Sequence, residues 1–106
     1  MDPLTIALLL KVIALAGSRT TELNVFLLTY DEIIDWFTDH RALMESEKGT
    51  FAFTLQQKLA ADHYKTIQGF FNEPTHRIVT ARSIVSQRVD SKVAAIHTTE
   101  ELAIYG

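Results

Sequence analysis

Three groups of residues in this chain have types and spacings that could do chemistry. Asp35, Asp39 and His40 lie within one helical turn and a half of each other. Two carboxylates one turn apart can share a divalent cation, and magnesium sites often use only one or two carboxylates plus substrate phosphates. No third ligand stands at a diagnostic spacing, and the helical count turns His40 toward the apolar side with Trp36. The ordinary reading is a solvated acidic face beside a semi-buried histidine. Asp62 and His63 are adjacent, but a carboxylate and the base it orients must both aim at one substrate. Chain neighbours rarely do so, and the surrounding residues read as a turn. His63, His76 and His97 are far apart in the chain and could meet at a metal only through tertiary convergence.

Other signatures are missing. There is no cysteine, which removes disulfide frameworks, thiol catalysis and thiolate zinc sites, and fits a reducing, cytoplasmic setting. No serine stands in a G-x-S-x-G or S-x-x-K pattern, and four glycines form no phosphate-binding loop. Tyr64, Phe70 and Phe71 near Lys65 and Arg77 loosely suggest base stacking, but the order of elements and the signature of an RNA-binding sheet are lacking. These aromatics read as core. With a formal net charge of −3, nucleic acid is not an expected partner. No cofactor and no metal site are expected.

The elements that would position these residues begin with LTIALLLKVIALAG, residues 4–17. A signal peptide wants a basic lead, whereas here Asp2 precedes the apolar run and Lys11 interrupts it. A run of about 14 residues also falls short of the roughly 20 needed to span a bilayer. Pro3 suits a first helical turn, and Gly17 with Ser18 suits a stop. Ala7, Lys11, Ala14 and Ser18 would form one narrow stripe of the resulting helix. Leu4, Ile6, Leu8, Leu9, Leu10, Val12, Ile13 and Leu15 would cover the rest. That is more apolar surface than one small sheet needs to cover, so these eight residues form a candidate interface, either with another chain or deep in the fold.

Residues 19–28 are ambiguous between strand and connection. Residues 29–46 read as one helix, with Thr29 and Glu32 forming a capping box and with Ile33, Trp36, Phe37, His40, Leu43 and Met44 on its apolar face. Phe51, Phe53 and Leu55 alternate with Ala52, Thr54 and Gln56, as in a half-buried strand, although residues 54–61 could also be helical. Residues 64–71 and 77–85 read as further strands, with Gly69 a bulge or a point of close approach. Asn72-Glu73-Pro74-Thr75 is a turn by composition. Asp90 suits the cap of a short helix, and residues 102–105 read as a final strand. The expected fold is a single α+β domain over residues 1–106. It has two N-terminal helices, one very apolar and one amphipathic, followed by a small antiparallel β-meander with a short helix before the last strand.

Charge is distributed unevenly. Residues 1–47 hold eight acids and three bases, whereas residues 58–92 hold six bases and three acids. Such a split can set orientation between copies of a chain. The expected function is therefore a non-enzymatic structural, assembly or protein-binding module. It would associate through the apolar helix with itself, as a homo-oligomer, or with another protein, without spanning a membrane. A second expectation is a small acidic inhibitor of the immunity-protein or antitoxin kind, with Asp31, Asp35 and Asp39 facing a basic partner. A third is a small hydrolytic or metal-dependent enzyme built on Asp35, Asp39 and a histidine.

Overall fold

The structure is a computed structural model that describes residues 3–17, 22–59 and 62–105, leaving aside the side chains at positions 5 and 14–17. Its elements in chain order are α1 (Pro3–Gly17), β1 (Glu22–Leu28), α2 (Tyr30–Asp39), α3 (Arg41–Ser46), β2 (Thr50–Lys58), β3 (Tyr64–Asn72), β4 (Arg77–Val89), α4 (Ser91–Ile96) and β5 (Leu102–Tyr105). The strands form one five-stranded sheet in the order β1-β4-β3-β2-β5.

This corrects the expected architecture of two helices followed by an antiparallel meander. The ambiguous stretch before Leu28 is a full strand, and it separates α1 from α2. β1 runs parallel to β4, with Leu23 opposite Ile84 and Leu28 opposite Val89, so the sheet is mixed. β2, β3 and β4 are joined by antiparallel pairing, but β5 returns to the far side of β2. The expected helix over 29–46 is also two helices. The chain breaks at His40 (φ −107°, ψ 12°), whose ring nitrogen Nδ1 lies 2.8 Å from the Trp36 carbonyl and whose ring stacks on the indole. The Trp36 carbonyl thus receives the ring nitrogen as well as the His40 backbone N–H, which lies 3.1 Å away.

Helices cover both faces of the sheet. On one face, Leu9 and Ile13 of α1 are fully buried against Phe53, Leu55, Ile67 and Phe71. On the other, Ile33 and Phe37 of α2 and Val93 of α4 pack with Leu28, Ala52, Phe70 and Ile84. Alternation along β3 therefore sends Ile67 and Phe71 to the α1 layer and Gln68 and Phe70 to the α2 layer. Full burial of a Leu, Ile or Phe side chain contributes about 1.5–3 kcal/mol, so both layers hold the sheet.

Turn chemistry fixes the registers. Thr29 Oγ1 accepts from the Glu32 N–H at 3.1 Å, as the capping pattern predicts. The Asn72 carboxamide is buried: its Nδ2 donates to the Lys48 carbonyl and Thr50, and its Oδ1 accepts from the N–H and hydroxyl of Thr75. Gly69 is a point of close approach, because a Cβ there would meet the Thr80 carbonyl and Ala81. Immediately after it the register with β4 slips, so that Phe70 faces Thr80 and Phe71 faces Ile78.

Candidate functional site

The histidines and carboxylates singled out by type do not converge. Among the described residues, no group of three or more His, Asp or Glu side chains could hold a metal ion. Asp35 and Asp39 are exposed on α2, while His40 caps that helix beside Trp36. Asp31 shares the exposed acidic face, and no ion pair among the described residues engages Asp31, Asp35 or Asp39. Asp62 is exposed, pairs with Lys58 at 3.4 Å and makes no hydrogen bond to His63 among the described residues. His76 is exposed in the β3–β4 turn, with φ 53°.

Two polar clusters lie on the sheet at positions with no local signature in the sequence. In the first, Thr54 Oγ1 is 2.9 Å from His97 Nε2 and 2.8 Å from the Tyr105 hydroxyl, and His97 Nδ1 is 3.0 Å from the Glu100 carbonyl. A carbonyl can only accept, so Nδ1 carries the proton and Nε2 accepts from Thr54. Thr54 in turn accepts from Tyr105. Burial pulls the His97 pKa below its ordinary value, outweighing the hydrogen bonds to the Glu100 and Glu101 carbonyls, and burial raises that of Tyr105. A hydroxyl held on an imidazole is the pairing that activates nucleophiles. Thr54, however, is 0% exposed, so no substrate reaches it. The cluster is a tie between β2, β5 and the segment after α4.

In the second cluster, Gln68 is fully buried on β3. Its Nε2 donates to the Ile33 carbonyl at 2.6 Å, and its Oε1 accepts from Arg82 Nε at 2.8 Å. The Arg82 guanidinium lies 5.4 Å over the Trp36 ring, and Phe70 stacks against the same indole. Partial burial lowers the Arg82 pKa against the raising effect of Glu32, yet a guanidinium starts so high that it stays charged. This cluster seats α2 on the sheet.

The candidate interface residues of α1 divide by face. Leu9 and Ile13 are buried by the chain's own sheet, and Ile6, Leu10 and Val12 are half-buried. Leu8 is 38% and Leu4 74% exposed, and the Leu15 side chain lies outside the described residues. No helix is long and apolar enough to cross a membrane among the described residues.

A second apolar surface belongs to the strand that the sequence left ambiguous. β1 ends the sheet, and no strand among the described residues pairs with its outer side. Leu23, Phe26 and Leu27 are 44%, 62% and 40% exposed. Glu22 is the one charged residue in ELNVFLL, and it lies 3.8 Å from Lys65. Phe26, Asn24 and Val85 line an open groove of about 410 Å³ with Leu59 and His63. Natural edge strands are usually blunted by charge, proline or a bulge. β1 has no proline, and its pairing with β4 keeps one register but skips Phe26 and Gln87. A short apolar run was visible in the sequence, but nothing in it says that the strand ends a sheet.

No protein-family model matches this chain, nor does any curated protein or solved structure.

Proposed function

We propose that this chain is a non-enzymatic association module whose contact surface is the outer edge of β1. The observation that carries this reading is an apolar seven-residue strand at the end of the sheet, with Leu23, Phe26 and Leu27 exposed and Glu22 already paired within the chain. An edge of this kind offers unpaired N–H and C=O groups to an incoming strand, with side-chain pockets to select it. Leu4 and Leu8, exposed on α1, supply further apolar surface. The inward part of that helix, at Leu9 and Ile13, serves the chain's own core.

The test is strand acceptance measured at single amides. A synthetic peptide of alternating Thr and Val is titrated in while backbone hydrogen exchange is followed. The β1 amides that point away from β4 should gain at least tenfold protection. Leu23→Lys with Leu27→Lys should abolish that gain while leaving the exchange of β3 amides unchanged. If the β1 amides exchange equally fast with and without peptide, and at every protein concentration, the edge is not a contact surface.

A further inference from the structure

We propose that the groove where the β2–β3 hairpin meets the ends of β1 and β4 is a binding site for a small organic monoanion. The apolar body of the ligand lies against Phe26, Leu59 and Val85, and its carboxylate sits at His63 and Arg88.

Strand pairing explains why the sheet is open here. The β3–β4 ladder ends at Tyr64 opposite Ser86, and the same register carried outward sets His63 beside Gln87 and Asp62 beside Arg88. On the other side of β4, the pairing with β1 skips Phe26 and Gln87. Gln87 is thus unpaired on both sides among the described residues. Two open cavities, of about 410 and 450 Å³, share His63 and Gln87 in their lining and adjoin there. Small-molecule sites usually have volumes of about 300–1,000 Å³. The hairpin holds two lining residues in place, because the Leu59 N–H donates to the His63 carbonyl at 2.7 Å.

The two cavities differ in chemistry. The first is walled by Phe26, Leu59 and Val85, the second by Asp62, Tyr64 and Arg88. Phe26 is 62% and Leu59 39% exposed, and an apolar ligand body covers both. The side chains of Asn24, His63, Gln87 and Arg88 make no hydrogen bond or ion pair among the described residues. His63 is half-buried even so. A few convergent polar groups beside an apolar wall are what orients a small ligand.

The head group follows from charge. The planar guanidinium of Arg88 matches the two oxygens of a carboxylate, and the His63 ring can donate a further hydrogen bond in either charge state. The other charges nearby are in ion pairs: Asp62 with Lys58 at 3.4 Å, and Lys65 with Glu22 at 3.8 Å. Arg88 is therefore the unpaired cation among the described residues of the groove. Asp62 on the same rim disfavours a second negative charge, so a carboxylate fits better than a phosphate dianion.

The probe is hydrocinnamate, a phenyl ring with one carboxylate, titrated into the full-length protein while amide chemical shifts are followed. Saturable shifts are expected at Leu59, His63, Val85, Gln87 and Arg88. The amine analogue of the same body, and phenyl phosphate, should each bind at least about fivefold more weakly. Arg88→Gln should weaken hydrocinnamate binding about fivefold, the upper end for an exposed ion pair, and leave binding of the alcohol analogue unchanged. Leu59→Ser should weaken every probe alike. Absence of saturable shifts, or shifts confined to other parts of the chain, overturns the site. Equal affinity for the carboxylate and the amine, or an Arg88→Gln variant that binds as before, overturns the anion assignment. Tighter binding of phenyl phosphate overturns the preference for a single charge. Leu59 and Arg88 lie outside β1, so these outcomes are independent of the strand-acceptance test.

Discussion

At the scale of single residues, the burial of polar groups decides most of what can be said. Thr54, Thr66, Gln68 and Ser86 are all fully buried, and two of them are satisfied by the clusters around His97 and Arg82. The hydroxyls of Thr66 and Ser86 have no hydrogen-bond partner among the described residues. An unpaired buried hydroxyl costs about 1–3 kcal/mol, so Thr66→Val, which keeps the shape, should stabilise the fold by about 1 kcal/mol. Thermal unfolding should show this as a midpoint raised by about 4–8 °C. His97 gives a pH dependence. Its pKa is lower folded than unfolded, so the unfolded chain takes up the proton first as pH falls. The stability it contributes is full above its ordinary pKa of about 6.5 and declines below that value, until the folded pKa is passed. Protonation would point both His97 Nε2 and Tyr105 at Thr54, whose own proton would then need a new acceptor. Denaturant unfolding between pH 7.5 and 5 should show this loss, and His97→Gln should flatten that part of the profile.

At the scale of elements, Asp90 does more than its sequence context announces. As a cap for the short helix it was legible: its Oδ1 accepts from the Val93 N–H at 2.9 Å. Its second oxygen accepts from the Tyr30 N–H at 2.8 Å, so one carboxylate holds the first turns of both α4 and α2. Partial burial acts to raise its pKa, but the N–H groups of Tyr30, Val93 and Lys92 outweigh this and hold it below its ordinary value. Asp90→Ala should cost about 2 kcal/mol by chemical denaturation, near the top of the range for a single cap, since two helix starts lose a partner. Asp90→Asn should cost less, as its one remaining oxygen can serve one helix. The link to Tyr30 spans sixty positions and has no local signature. The same holds for the break at His40. The apolar spacing of Ile33, Trp36, Phe37 and Met44 continues through it, and only the backbone angles at His40 show that the helix stops.

At the scale of the whole molecule, the strands from Thr50 onward were legible because their alternation and turns are local. The layer arrangement was not. Alternation of Phe51, Phe53 and Leu55 with Thr54 suggested a sheet with one wet face, but α1 covers one side and α2 with α4 the other, so Thr54 is buried. Small polar residues under a helix resemble solvent-facing ones when read along a strand. The candidate contact surface was hidden for a related reason. An edge is a property of strand order, and the order β1-β4-β3-β2-β5 depends on pairings across the whole chain. The parallel pairing of β1 with β4 also has a consequence for synthesis. β1 ends at Leu28, but its partner is not complete until Val89 has been made. At about 5–20 residues per second, this interval lasts roughly 3–12 s. Throughout it the barest strand of the protein lacks its sheet partner, and until Asn72 has been made the greasiest helix lacks strands that cover it, so the nascent chain is a natural client for holding chaperones.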